Sequence, residues 1–205
     1  MTAIQAAREE RVEFAAFLER LTPRQWESRT LCELWRVREV VAHVVSFEEL
    51  SHSEVIRRFL KGRLQVDRIN TLGVADYADR SPQELTTLLR TYAEPHGLGA
   101  GFGGKIALVD NMIHQQDIRR SLGVPRTISL ERLSIALNFA RYAPLIRGAW
   151  RARGVRLVAT DLDWAHGRGP EVRGSGEALL MAIAGRRDAL GDLSGSGLSA
   201  LSRHI

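Results

Sequence analysis

The sequence has one cysteine, Cys32, among 205 residues, so no internal disulfide can form, and a reducing, cytoplasmic setting is expected. Lysine is nearly missing: only Lys61 and Lys105 occur, and arginine carries almost all of the positive charge. No run of about 18 apolar residues exists, which excludes a membrane-spanning helix, so no membrane partner is expected. The N-terminus "MTAIQAAREERVEF" lacks the basic-then-apolar layout of a signal peptide. Internal repeats, low-complexity segments and blocks of like charge are also missing. This last absence matters because 29 Lys and Arg outweigh 24 Asp and Glu. A basic balance by itself permits nucleic-acid binding, but no docking motif and no aromatic-interleaved cluster accompanies it. The arginines therefore read as solvated helix faces, and no nucleic-acid partner is expected.

What is present is a chain with 44% apolar residues, enough for one sizeable core or one core and a small appendage. Apolar positions recur at helical spacing over 3–21, with Thr2 placed as an N-cap. "TPRQW" follows, Pro23 opening a short helical turn. A long helix is expected over 37–60, striped by Val37, Val40, Val41 and Val44. "SPQE" at 81–84 combines a serine cap, proline at the first position and glutamate at the third, and starts another helix. The glycine-rich "GLGAGFGG" (97–104) leads into a further helix that Gly123 stops. Residues 130–153 read as one helix, bent near Pro144 and ended by Gly154. The character then changes: "VRLVATDLDWA" has strand composition, "HGRG" is turn chemistry, "PEVRG" is a second strand, and "GEALLMAIAGR" is a short helix before a tail that adds one more strand. The expected fold class is mainly α: an antiparallel four-helix bundle over 1–153, then a small α+β module over 154–205.

One stretch breaks the pattern. "LVDNMIHQQDIRRSLG" (108–123) reads as a core helix, yet Ile106, Asp110, Ile113 and Asp117 fall within about 60° of one another, with His114 beside them. A carboxylate on a buried stripe must be paired, protonated or bound to a metal. Asp110 and His114 stand four apart, the spacing at which two helical side chains grip one ion. In helix bundles such sites are completed from a facing helix. His43, flanked by valines at the border of its own stripe, is the candidate third donor; two histidines and one carboxylate are a common catalytic zinc set. From spacing alone two other readings stay open. Asp110 and His114 can form a purely structural hydrogen bond, and His43 can be a border histidine of the core.

Three stretches resemble the mycothiol-dependent maleylpyruvate isomerase family, whose N-terminal part is a DinB-like metal-binding bundle. They are "TLCELWRVREVVAHVVSFE" (30–48), "LVDNMIHQQDIRRSLG" (108–123) and "VRLVATDLDWAHGRGPEVRGSGEALLMAIAGR" (155–186). The resemblance implies that His43, Asp110 and His114 hold a divalent metal, zinc being the expected ion, and that mycothiol is the thiol cosubstrate. It also implies a sterol-carrier-like C-terminal module. The family's acidic ligand is a glutamate; here it is the shorter aspartate. Asp117 belongs to the same motif and is expected to support the cofactor by holding a ligand histidine's free N–H. Arg36 stands where relatives often carry Ser or Thr, so the helix from Val37 should be less well capped. Cys32 has no histidine partner apparent in the sequence and reads as a small packed residue.

The implied chemistry is isomerisation of an electrophile, or transfer of the thiol to it, by a metal-activated thiolate. Arg186, with Arg173 as the alternative, is the candidate catalytic arginine that holds substrate carboxylates or sugar hydroxyls. The expected partners are a small thiol and an electrophilic substrate, in a monomer or homodimer. The rival function is a non-catalytic metal- and ligand-binding sensor or carrier.

Overall fold

The computed structural model describes all residues from Met1 to Ile205. It is mainly helical with one three-stranded sheet, and it divides into two compact units, Met1–Pro125 and Arg126–Ile205. The division falls earlier than the expected 153/154 boundary. The helix at 130–140 belongs with the second unit, where it packs on the helix at 176–183.

The first unit contains α1 (Ala3–Leu18), α2 (Pro23–Trp26), α3 (Val37–Val45), α4 (His52–Lys61), α5 (Val66–Ala75), α6 (Pro82–Thr91) and α7 (Lys105–Leu122). Four of them make the bundle: α1 and α3 each pack against both α6 and α7. Phe14 and Leu18 of α1, Val37, Val41 and Val44 of α3, Leu85 and Leu89 of α6, and Ile118 of α7 meet in its core.

Local chemistry sets the helix starts. Thr2, Thr22, Ser51 and Ser81 each accept a backbone N–H three residues on, while Gln5, Gln25, Glu54 and Glu84 reach back to the cap. The Ser51 cap explains why 37–60 is two helices rather than the expected one. Ser46 turns its hydroxyl onto the His43 carbonyl, and the S-x-x-E sequence at Ser51 then starts α4. Arg36 does better as a cap than its side chain suggests. Glu39 accepts the Arg36 backbone N–H at 2.7 Å and holds the same residue's guanidinium, so one of the first-turn donors is satisfied.

At the start of α7 a glycine is required. Gly104 has φ of +91°, and a Cβ there would lie 2.9 Å from the Ile4 backbone, so α7 begins hard against α1. Gly123, at φ of +66°, ends the helix as expected.

The second unit contains α8 (Leu130–Ala140), α9 (Gly148–Arg151), β1 (Arg156–Ala159), β2 (Ala165–Gly167), β3 (Glu171–Gly174), α10 (Gly176–Ile183), a 3-10 turn (Arg187–Asp192) and α11 (Leu198–Ser202). Pro144 stops α8 instead of bending it. A proline ring excludes the carbonyl four residues earlier, which is that of Ala140, the last helical residue. The sheet order is β2-β1-β3, antiparallel on one side and parallel on the other, and Leu157 pairs with both His166 and Val172. The expected strand over 155–165 is a hairpin in two pieces. Ala159 N–H donates to the Trp164 carbonyl and closes a turn around Asp161 and Asp163, so "HG" joins β2 rather than a loop. The tail forms the 3-10 turn and α11, contributing only a bridge between Arg173 and Ser194 to the sheet.

Candidate metal centre

The site is built by α3, α7 and the loop between α2 and α3. On α7, Asp110 and His114 lie one turn apart; on α3, His43 faces them. His114 Nε2 is 3.5 Å and His43 Nε2 3.6 Å from the same oxygen, Oδ1 of Asp110. The two imidazole rings stand edge to face with centroids 4.9 Å apart. One donor atom from each of the three lies within 4.8 Å of the others.

These spacings are informative. A separation of 3.6 Å is too long for a direct N–H···O bond. Two bonds of about 2.1 Å meeting at a tetrahedral angle span about 3.4 Å, so the donors stand where one zinc-sized ion can touch all three. The donor types, two neutral imidazoles and a carboxylate, suit that ion. The mouth is open as well: the histidine side chains are 10% and 11% exposed and the Asp110 side chain 35%. That exposure is what a site needs in order to admit an exogenous ligand.

Behind this set lies a second layer. His114 Nδ1 is 3.0 Å from Oδ2 of Asp117, whose side chain is fully buried. Cys32 Sγ lies 3.1 Å from the same oxygen and 3.7 Å from His114 Nδ1. Trp35 packs on the His43 ring with centroids 4.9 Å apart. The loop that brings Cys32 and Trp35 here is tightly held. Thr30 Oγ1 accepts the Cys32 N–H and donates to the Trp35 carbonyl, and Leu31 N–H donates to the Asp117 carbonyl.

Two carboxylates close to one imidazole also set the protonation. Burial opposes charge on His114, but the Asp110 carboxylate, Asp117 and Cys32 outweigh it and push its pKa up to about 10. Burial likewise opposes charge on Asp110, yet His114, His43 and Arg11 hold its carboxyl well below the usual range. Without a bound cation the set therefore keeps a proton on His114.

The structure brings His43, Asp110, His114 and Asp117 together. Arg173 and Arg186 lie in the other unit and outside this cluster. Arg173 pairs with Glu171 at 2.9 Å; Arg186 donates to the Ala184 carbonyl and lies near enough to Arg151 to lower that residue's pKa, after burial. The reading of Cys32 as a packed bystander needs correcting, because its histidine and carboxylate partners come from α7, 82 and 85 residues away along the chain. Trp35 is a further residue of the site to which no spacing in the sequence points. Both stand in the "LCELW" segment that carried the resemblance, and that segment was the available signal.

Residues 7–96 match the family model for the mycothiol maleylpyruvate isomerase N-terminal domain. Over that stretch, somewhat less than half of its length, the chain is similar to mycothiol maleylpyruvate isomerase N-terminal domains. The match includes Cys32, Trp35 and His43 but ends before α7, which supplies the other donors. Among solved structures, the mycothiol-dependent maleylpyruvate isomerase aligns with a TM-score of 0.54 and a histidine-to-alanine variant of it with 0.55. Each is 12% identical, and the alignment covers 95% of this chain and 91% of the other. The shared fold therefore extends through the second unit. Among curated proteins, none matches the sequence.

Proposed function

We propose that the protein is a mycothiol-dependent metalloenzyme of the maleylpyruvate isomerase type, with His43, Asp110 and His114 holding a divalent metal. The observation that carries this reading is the spacing of the three donors, 3.5 and 3.6 Å about one carboxylate oxygen at an open mouth. A divalent metal, zinc by preference, would supply Lewis acidity that keeps a thiol deprotonated and nucleophilic at neutral pH. The chain's own residues arrange the rest. Asp117 accepts the His114 Nδ1–H, so that Nε2 turns its lone pair toward the mouth. Trp35 packs against the His43 ring and limits its rotation.

In the isomerase reaction the thiolate adds to a conjugated double bond. A C–S bond forms, and the displaced electron pair moves onto the conjugated carbonyl. Rotation follows about what is now a single bond, after which the pair returns and expels the thiolate. In a transferase reaction the C–S bond is kept and a proton is taken up at carbon. Arg186, with Arg173 as the alternative, is the arginine proposed for substrate carboxylates.

The test is the metal content of the purified chain, followed by turnover of maleylpyruvate and of model electrophiles with and without mycothiol. About one zinc-class ion per chain, with mycothiol-dependent turnover that chelation abolishes and zinc restores, is the expected result. Metal binding without turnover would favour the sensor reading. Absence of both would overturn the proposal and leave a carrier.

A further inference from the structure

We propose that Cys32 is a positioning residue of the metal site, acting on His114 through Asp117. The inference rests on the metal reading above and adds a role for a side chain outside the donor set. Two donors converge on one oxygen: the Cys32 S–H and the His114 Nδ1–H both point to Oδ2 of Asp117, at 3.1 and 3.0 Å. Asp117 is fully buried, so solvent cannot stand in for either of them. The thiol is itself fixed, because Thr30 holds the Cys32 N–H and Leu31 ties the same loop to the Asp117 carbonyl. Cys32 thereby fixes the carboxylate, the carboxylate fixes the ring, and the ring aims Nε2 at the mouth.

Cys32, Asp117 and His114 also lie close enough together to be considered as a second metal set. Their distances argue otherwise. Contacts of 3.0 and 3.1 Å are hydrogen-bond distances. Donors sharing one ion at about 2.1–2.3 Å stand farther apart, roughly 3.4–3.6 Å at a tetrahedral angle, as the Asp110 set does. The sealed environment of Asp117 also leaves no open position for a ligand.

The experiment is a cobalt(II) titration, followed by absorption spectroscopy, of the full chain and its Cys32→Ala and Cys32→Ser variants, with His114→Ala as the control. A serine hydroxyl can donate to Asp117 where alanine cannot. The expected result is about ten-fold weaker cobalt binding in Cys32→Ala, within the range for loss of an outer hydrogen-bond partner. Cys32→Ser should keep near-wild-type affinity, and no spectrum should show a sulfur-to-cobalt charge-transfer band. Equal affinity in Cys32→Ala and wild type would overturn the proposal. So would a charge-transfer band in wild type that both variants lose, since Cys32 would then be a ligand. If His114→Ala binds cobalt as wild type does, the metal reading itself fails. Long-range proton–nitrogen NMR of the metal-free His114 ring then decides the positioning role. A hydrogen-bonded, slowly exchanging Nδ1–H in wild type and Cys32→Ser, but a faster-exchanging one in Cys32→Ala, supports it, and identical exchange in all three proteins overturns it.

Discussion

Helices α7 and α10 are both buried on most of their surface, one in each unit, yet they are made of opposite materials. Every buried residue of α10 is apolar or glycine: Gly176, Ala178, Leu179, Leu180, Met181, Ala182 and Ile183. Helix α7 buries Asn111, His114, Gln115, Gln116, Asp117 and Arg119 among its apolar residues. The first composition is what a helix buried all round needs for stability. The second costs free energy at every polar group unless a partner is provided. Arg119 stacks on Phe17, Asn111 donates to the Ala107 carbonyl, and Asp117 receives two donors. A helix that carries so many desolvated polar groups is not composed for stability alone, and two of them, His114 and Asp117, belong to the cluster around Asp110.

The contrast can be broken most sharply at its centre. His114→Ala should weaken zinc binding by more than about 100-fold, beyond the 10–100-fold that loss of an outer partner costs. Folding should lose only about 1–3 kcal/mol, because water can enter the open mouth and solvate Asp110. Calorimetric zinc titration and chemical denaturation measure the two separately. Unchanged zinc affinity would end the comparison, since α7 would then be merely a polar core helix.

The opposite pattern is expected from α10. Leu180→Ala leaves a cavity in a fully buried position and should cost about 2–5 kcal/mol of stability. Zinc affinity per folded molecule should remain at the wild-type value, which separates packing from chemistry.

A smaller effect comes from pH. The folded pKa of His114 is raised to about 10 from its ordinary 6.5. A raised pKa contributes stability that is complete below 6.5 and is lost as pH climbs toward 10. Metal-free protein should therefore lose stability between pH 7 and 10. Zinc binding displaces the same proton, so its affinity should rise over this window, by up to about ten-fold per pH unit. Melting temperatures with chelator and with zinc, followed across that range, test both directions. An affinity that is flat with pH would mean that His114 carries no proton to displace.

The smallest effect belongs to a cap remote from this chemistry. Ser51→Ala removes the acceptor for the Glu54 N–H and should cost about 1 kcal/mol without changing zinc affinity. A denaturation midpoint equal to wild type would show that the α4 start is held by packing instead.

The ends of helices were largely legible because their determinants are local. "SPQE" and Gly123 carry their instructions within four residues, and the structure follows both. The α3–α4 break was equally legible in Ser51 and Glu54, but the valine stripe before it suggested continuity. Pro144 announced an interruption, and what it did was stop α8. The extent of each unit was less accessible, since α8 looks the same whether it packs on a bundle or on α10. Gly176 settles that locally by leaving room for Leu133.

The sequence by itself determined that this is a mainly helical chain with a small α+β part, and that α7 carries a carboxylate and an imidazole one turn apart. Those properties follow from periodicity and capping, which act over a few residues. Only the tertiary structure decided which distant side chains complete the site. His43 reaches Asp110 across 67 positions of sequence. Cys32 meets Asp117 because its neighbour Leu31 donates its backbone N–H to the carbonyl of Asp117 itself. Whether two polar groups meet depends on how α3 and its preceding loop pack against α7. That packing arises from the summed burial of the whole first unit, and no short stretch of the chain encodes it.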